Sequence, residues 1–292
     1  MRGLRAVSRW AWTLTACLAI TAYAAQARQA QPTKQPQATK QATPAKAYQP
    51  EIGQPGKDVV WVPTSQALVD KMLDMAKVTP QDYVIDLGSG DGRTVITAAK
   101  RGARGLGIEY NPDMVELSIA NAAKEGVSAR AKFMKADLFE TDFSQATVIT
   151  MFLLPDINLR LRPKLLDMKP GTRVVSNSFT MGEWTSDESE VVEEGCTSWC
   201  TALLWIIPAK VAGKWHLGNG ELELTQEFQM LSGTLTSNGK TMPVSEAKMR
   251  GDQITFQAGG TVYTGRVKGI AMQGTAKTGT ASAPWSATRL DK

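Results

Sequence analysis

A predicted strand, glycine-rich loop and helix near residue 90 constrain the fold more than any other part of the sequence. Tyr83–Leu87 is apolar except at Asp86, which predicts a short buried strand of a parallel sheet. Glycines at 88, 90 and 92 follow, and residues 93–101 continue with an apolar face at helical spacing. Such a loop brings a ligand close to bare backbone and to the N–H groups of a helix start. The stretch therefore predicts a ligand site at the carboxyl end of a parallel sheet.

Two more acidic residues stand at the ends of the next two predicted strands. Residues 104–109 end in Glu109, about twenty residues beyond the loop, where an acid can accept hydrogen bonds from both hydroxyls of a ribose. Residues 131–137 end in Asp137, which can accept a hydrogen bond from an adenine amino group. We expect these acids and Asp86 to meet at one sheet edge. Nicotinamide-binding chains share the loop and the second acid, but they space the glycines Gly-x-Gly-x-x-Gly and lack an acid in the first strand.

These motifs resemble those of class I S-adenosylmethionine-dependent methyltransferases. Val60–Thr64, ahead of the first strand, and Met151–Pro155, after the fourth, narrow the resemblance. Together the motifs are similar to prokaryotic relatives of the mitochondrial lysine methyltransferases that act on the c-ring protein of ATP synthase and the adenine nucleotide translocase. Lys169–Ser176 is more distantly similar to the non-SET histone lysine methyltransferases. The resemblance covers roughly residues 58–213 and implies S-adenosylmethionine as cofactor and a protein lysine as methyl acceptor.

The resemblance and the spacing of the motifs together predict the site residues. The expected cofactor-binding residues are Asp86, Gly88, Ser89, Gly90, Asp91, Gly92, Glu109 and Asp137. The expected lid or substrate wall contains Trp61, Pro63, Thr64, Phe152 and Pro155. Many amino-group methyltransferases carry a polar motif after the fourth strand, but this chain has an apolar one, so Asp156 is the only nearby candidate base. An apolar wall suits a lysine stem and equally suits a packed core.

Alternating strand and helix patterns predict a doubly wound, Rossmann-like α/β domain over residues 58–212. Strands are expected at 83–87, 104–109, 131–135, 146–152 and 173–178, and helices at 65–77, 93–101, 112–125 and 158–167. A hairpin of residues 189–194 and 201–207 is expected to close the sheet edge. Residues 213–292 predict a small antiparallel β-sandwich or barrel, because they show short alternating segments between 221 and 275, hairpin-turn signals and no helical period.

Cys196 and Cys200 lie in the predicted turn of that hairpin. In an exported protein, two cysteines across a short turn most simply form a disulfide, and a redox-active pair is the alternative. The chain has one histidine, His216, and its three cysteines are dispersed. We therefore expect no metal site.

The first 57 residues predict an export signal followed by a linker. Three arginines precede an uncharged run over residues 10–25, and Ala25-Gln26-Ala27 fits a cleavage site. Residues 1–27 thus predict a signal peptide or, if uncleaved, a membrane anchor. Residues 28–57 are rich in Gln, Pro, Thr, Ala and Lys, which predicts a disordered linker. The expected location is periplasmic, extracellular or membrane-anchored.

The positive charge belongs to the N-terminal segment. Residues 1–50 contain seven basic residues and no acid, whereas the rest of the chain has 26 basic and 28 acidic residues, so no nucleic-acid partner is expected. Export conflicts with a cofactor that is made in the cytoplasm. Three interpretations remain: a tethered enzyme that faces inward, an exported enzyme whose compartment receives cofactor, and a non-catalytic envelope-binding module. A small amine is the alternative acceptor to a protein lysine.

Overall fold

A computed structural model of the 292-residue chain describes residues 48–290. The predicted signal peptide and most of the predicted linker lie outside the described residues. The helices are α1 Gln66–Met75, α2 Arg93–Lys100, α3 Pro112–Lys124 and α4 Pro155–Leu166. Within residues 48–290, no helix is both long and apolar enough to cross a membrane.

Seven strands form a mixed sheet in the order β3-β2-β1-β4-β5-β7-β6. They are β1 Tyr83–Leu87, β2 Arg104–Glu109, β3 Ala131–Lys135, β4 Val148–Met151, β5 Arg173–Asn177, β6 Glu188–Val191 and β7 Thr201–Ile206. Strands β1 to β5 are parallel, and β6 and β7 form the antiparallel edge. The predicted Rossmann-like sheet and its closing hairpin are therefore present, although β6 ends at Val191, three residues before the expected end.

Helices cover both faces of this sheet. Successive side chains of a strand point to opposite faces, and in β1 the side chains on both faces are buried. On one face, Val84 packs in a cluster with Leu68 and Leu73 of α1. On the other face, Ile85 packs in a cluster with Leu161 of α4. Each fully buried Leu or Ile side chain contributes about 1.5–3 kcal/mol to folding. This burial fixes the register of β1 and so directs its carboxyl end and the glycine loop to one sheet edge.

The remaining strands form a closed antiparallel barrel. Of the two architectures expected for residues 213–292, a sandwich or a barrel, the structure therefore has the barrel. Its strands are β8 Gly213–Leu217, β9 Gly220–Glu227, β10 Met230–Ser237, β11 Lys240–Arg250, β12 Gln253–Ala258, β13 Thr261–Lys268, β14 Ala271–Thr278 and β15 Ala281–Arg289. Each strand pairs with the next, and β15 pairs with β8 to close the barrel. Closure leaves no unpaired sheet edge.

Sequence patterns missed the first and last strands of the barrel. In β8 only Trp215 is buried, and in β15 only Trp285 and Ala287 are. Such sparse apolar positions give no alternating pattern, and Pro284 also argues against a strand. Pairing with neighbouring strands makes these segments strands, and β8 and β15 pair with each other although they are distant in sequence.

The barrel contacts the mixed sheet through a stacked aromatic pair. The ring centroids of Phe228 and Trp184 are 5.9 Å apart, and Trp184 is fully buried. Beside them, the Gln229 side chain donates a hydrogen bond to the Thr185 carbonyl over 2.7 Å. The side chain of Phe228 thus packs against the core of the mixed-sheet domain.

Candidate active site

A cavity of about 550 Å³ opens at the carboxyl ends of the parallel strands. The three strand-end acids Asp86, Glu109 and Asp137 all line it. The other expected site residues that line it are Gly88, Ser89, Gly90, Asp91, Trp61, Pro63, Thr64 and Phe152. Parallel strands bring these residues together because their carboxyl ends share one edge.

Asp86 is the most buried of the three acids, with 6% of its surface exposed. Its neighbour on β4, Thr150, donates a hydrogen bond to Oδ1 over 2.6 Å. Burial raises the pKa of Asp86 to about 7, and the nearby Glu109 charge acts in the same direction. Hydrogen bonds from Thr150 and Thr94 oppose this rise in pKa without cancelling it. Asp86 therefore changes charge near neutral pH, and a cationic ligand group would favour its ionised form.

Glu109 ties the glycine loop to the end of β2. Its Oε2 accepts a hydrogen bond from the Gly90 N–H over 3.0 Å, and its Oε1 accepts one from the Asn111 N–H over 2.9 Å. Each carboxylate oxygen has two lone pairs, so both oxygens keep capacity for a second donor. A pair of ribose hydroxyls matches that remaining capacity.

Asp137 is paired with a lysine that the sequence placed in the linker. Lys57 Nζ lies 2.5 Å from Asp137 Oδ2, and the Phe139 N–H donates to Oδ1 over 2.9 Å. These contacts, the Lys57 hydrogen bond foremost, hold the pKa of Asp137 below its ordinary value. Lys57 Nζ also lies 5.1 Å from the centre of the Tyr110 ring. An aromatic ring and a hydrogen-bond acceptor thus stand where adenine is expected.

Two glycines of the loop leave its backbone open to the cavity. Gly88 and Gly90 have φ angles of +77° and +53°, which side-chain-bearing residues rarely adopt. A Cβ at Gly90 would lie 2.6 Å from Nε1 of Trp61, which covers the loop. Gly92 differs, because it is absent from the cavity lining and a Cβ there would lie 2.7 Å from Cζ of Phe133. Gly92 lets α2 begin close to β3, and the structure does not place it at the expected cofactor site.

The other loop residues act through neighbours. Asp91 forms an ion pair with Arg93 over 2.6 Å, and Arg93 also donates a hydrogen bond to the Thr64 carbonyl over 2.7 Å. This chain of contacts fastens the expected lid to the loop. Ser89 directs its Oγ toward β2, since a Cβ at Gly107 would lie 2.4 Å from that oxygen.

Residues 53–62, which we call the strap, form part of the cavity wall although residues up to 57 were predicted as linker. Backbone hydrogen bonds join the Gly53 N–H to the Trp61 carbonyl over 2.8 Å and the Trp61 N–H to the Gln54 carbonyl over 2.9 Å. Lys57 then fastens the strap to Asp137. The sequence signal for the strap was weak, because only its last residues, from Val59, form an apolar run.

The cavity wall beyond β4 and β5 is aromatic. Phe152 follows β4, and Phe179 follows β5. Trp199, just ahead of β7, also lines the cavity and belongs to a turn that a Cys196–Cys200 disulfide closes. Sequence reasoning missed Phe179 and Trp199, although the two flanking cysteines marked the turn.

The proposed base does not belong to this wall. Asp156 is exposed in the first turn of α4 and does not line the cavity, and neither does Pro155. Helix α4 directs its buried side chains into the core instead. The structure therefore offers no geometric support for Asp156 as a general base.

The residues present fit S-adenosylmethionine. The cavity volume lies within the usual range of about 300–1,000 Å³ for small-molecule sites. The open backbone at Gly88 and Gly90 and the spare acceptor capacity of Glu109 match the cofactor's amino-acid and ribose parts. Asp137 and Tyr110 match its adenine, and Asp86 can offset its ammonium charge.

The sequence has relatives whose names describe methyl transfer. The sequence-family model for the ANTKMT methyltransferase domain matches residues 86–188 of this chain. A protein-lysine N-methyltransferase of Saccharolobus islandicus is 47% identical over 140 residues, which cover 47% of this chain and 87% of that protein. The adenine nucleotide translocase lysine N-methyltransferase of Mus musculus is 34% identical over 128 residues, which cover 43% of this chain and 56% of that protein.

Among solved structures, one described as an RNA methyltransferase from Salinibacter ruber in complex with S-adenosyl-L-homocysteine has 46% identity. The alignment covers 51% of this chain and 96% of that chain, with a TM-score of 0.48. The family match ends at residue 188, ahead of the barrel.

Proposed function

Because this chain belongs to the ANTKMT family of S-adenosylmethionine-dependent methyltransferases, we propose that it methylates the side-chain amine of a protein lysine. The observation that carries the proposal is one cavity with two unlike halves. Strand-end acids and open glycine backbone line one half, and apolar and aromatic side chains line the other. The similar proteins named as lysine N-methyltransferases support lysine as the acceptor.

When bound, S-adenosylmethionine supplies a methyl group on a positively charged sulfur. Glu109 would accept hydrogen bonds from the ribose hydroxyls, and Asp137 would accept one from the adenine amino group. Asp86 would face the ammonium group, whose charge favours the ionised carboxylate. These residues bind and orient the cofactor and take no part in bond making.

The aromatic half acts on the lysine. An amine must be neutral to attack a methyl carbon, and a desolvated site lowers the pKa of a lysine amine. Phe152 and Leu153 line this half with apolar surface and exclude water from the amine. Because Asp156 lies outside the cavity, we propose that positioning of a neutral amine carries most of the rate, with no strong base.

The test is to incubate the purified protein with methyl-labelled cofactor and a cell extract, and then to hydrolyse the protein fraction to amino acids. We expect label in mono-, di- or trimethyl-lysine, and we expect Asp86→Ala to abolish it. Label found only in small molecules would show that the methyl acceptor is a small amine. Label found in RNA would show that the acceptor is a nucleotide and not a lysine. Tight cofactor binding without transfer in any fraction would favour the binding module.

For the compartment, we propose that the enzyme is exported or anchored with its catalytic domain outside the cytoplasm. The disulfide at Cys196 and Cys200 supports this, since such bonds persist in oxidising compartments, and so does the basic and apolar pattern of residues 1–27. External protease should then degrade the protein in cells whose outer layers are opened but whose inner membrane is intact. Protection until the inner membrane is lysed would place the domain inside.

A further inference from the structure

Three aromatic rings form a cluster on the part of the cavity wall that adjoins β4, β5 and β7. The ring centroids of Phe152 and Phe179 are 5.9 Å apart and the rings are stacked, and Trp199 lies 5.9 Å from Phe152 in a tilted arrangement. All three line the cavity, and 48% of the Trp199 surface is exposed. A half-open cluster of this kind presents ring faces to whatever enters the cavity.

The sheet topology separates this cluster from the cofactor half. Asp86, Glu109 and Asp137 stand at or just after the ends of β1, β2 and β3. Phe152 and Phe179 follow β4 and β5, and Trp199 precedes β7, so the cluster belongs to the other half of the sheet. The strand order β3-β2-β1-β4-β5-β7 therefore places the rings beyond the cofactor half, on the acceptor side.

The disulfide fixes Trp199 in this position. Its backbone has a φ of +52°, which is uncommon for a bulky residue and which the closed turn must maintain. At one end of the turn, Gly195 lies close to α1, since a Cβ there would be 3.2 Å from the Ala67 Cβ. At the other end the Cys200 carbonyl accepts a hydrogen bond from the Val192 N–H over 2.8 Å. The Cys196–Cys200 bond closes the turn between these two contacts.

The ring faces are available to a cation from outside. Among residues 48–290, the Lys and Arg side chains that lie over aromatic rings contact other rings, such as Tyr110, Phe139 and Trp215. Aromatic faces attract an ammonium group, and they also pack against its aliphatic stem. A lysine side chain has both parts. Its charged amine meets the ring faces as it enters, and it must release a proton to solvent before the neutral amine can attack the methyl group.

We propose that Trp199, positioned by the Cys196–Cys200 disulfide, is a specificity-determining residue that receives the acceptor lysine against Phe152 and Phe179. This inference rests on the proposed lysine methylation and adds the surface that selects the acceptor. The disulfide then acts on acceptor recognition and not on cofactor binding, because Trp199 belongs to the β4–β7 half of the site.

The test uses the full chain saturated with S-adenosylhomocysteine and two probes of equal stem length. Nα-acetyl-lysine methylamide carries the ammonium group, and Nα-acetyl-norleucine methylamide lacks it. We expect the wild type and Trp199→Phe to prefer the lysine probe by about fivefold or more, in line with a partly desolvated cation–π contact. Trp199→Ala and the double variant Cys196→Ser with Cys200→Ser should lose this preference, and all variants should bind S-adenosylhomocysteine alike.

Val191→Ala is the matched control, because Val191 is exposed on β6 outside the cavity and should leave the preference unchanged. An unchanged preference in Trp199→Ala would overturn the inference, and so would a parallel loss of S-adenosylhomocysteine affinity. The labelled-extract assay separates the two proposals. If methyl-lysine forms but the preference for the lysine probe does not depend on Trp199, only the inference about Trp199 is refuted. If that preference depends on Trp199 but no methyl group is transferred, only the proposed methyl transfer is refuted.

Discussion

The raised pKa of Asp86 makes the stability of the fold depend on pH. Its ordinary pKa is 3.8, which applies to the unfolded chain, and burial raises it to about 7 in the fold. Between these two values the folded protein binds more protons than the unfolded one. The contribution of Asp86 to stability is therefore greatest below about pH 4 and is lost as the pH rises to about 7.

The first prediction is that Asp86→Asn flattens this decline. The amide has nearly the shape of the carboxyl group and can still accept the Thr150 hydrogen bond, but it does not titrate. We expect the variant to gain stability relative to wild type as the pH rises from 4 to 7. Urea denaturation at several pH values measures the difference, and a constant difference across this range would contradict the assigned titration.

The second prediction concerns Glu109, which accepts two backbone hydrogen bonds and has capacity for the ribose. Glu109→Ala should weaken S-adenosylhomocysteine binding by about tenfold to a hundredfold, about 1–3 kcal/mol, because buried polar groups lose their partner. Isothermal titration calorimetry gives the affinities. Glu116→Ala is the control, since Glu116 is exposed on α3, and equal affinities in both variants would remove Glu109 from the site.

At the scale of elements, local patterns predicted most of the mixed sheet and its acids. Buried strands such as β1 are mostly apolar, and the loop after β1 has a distinctive glycine spacing, so both are visible in a short window of sequence. The strap was not predictable in this way, because Lys57 is held by Asp137, eighty residues away. Trp199 and β15 were missed for the same reason: contacts distant in sequence define them.

The third prediction is that the strap opens easily. The Lys57–Asp137 pair lies near the surface, where water and salt screen the attraction, so it adds little to stability. In Lys57→Ala, hydrogen exchange at the Gly53 and Trp61 amides should be up to about fivefold faster than in wild type.

Lys71→Ala removes a comparable surface pair, with Glu190, outside the strap and is the control. The Gly53 and Trp61 amides should keep their wild-type exchange rates in this control. Equal rates in wild type and Lys57→Ala would show that Lys57 does not fasten the strap.

For the whole molecule, the barrel and the mixed sheet share a packed contact through Phe228 and Trp184. That residues 58–212 fold as a domain of their own stays a prediction. The stacked pair indicates that such a fragment would lose stability, since Trp184 would lose the ring that helps to bury it.

The fourth prediction is that Phe228→Ala destabilises the protein by about 2–4 kcal/mol, a little below the range for fully buried Phe, because Phe228 is only partly buried. Met230→Ala, at an exposed position two residues later, should change stability by less than about 0.5 kcal/mol. Chemical denaturation of both variants measures the difference. Equal stabilities would show that the Phe228–Trp184 contact contributes nothing to the stability of the protein.

The central claim is that the cavity has one half for the cofactor and one half for the acceptor lysine. A crystal structure of the full chain with S-adenosylhomocysteine tests this most directly. We expect the ribose hydroxyls on the Glu109 carboxylate, the adenine beside Tyr110 and Asp137, and the sulfur facing the cluster of Phe152, Phe179 and Trp199. A ligand whose sulfur faces away from that cluster, or whose ribose lies away from Glu109, would contradict the assignment of the cavity to methyl transfer.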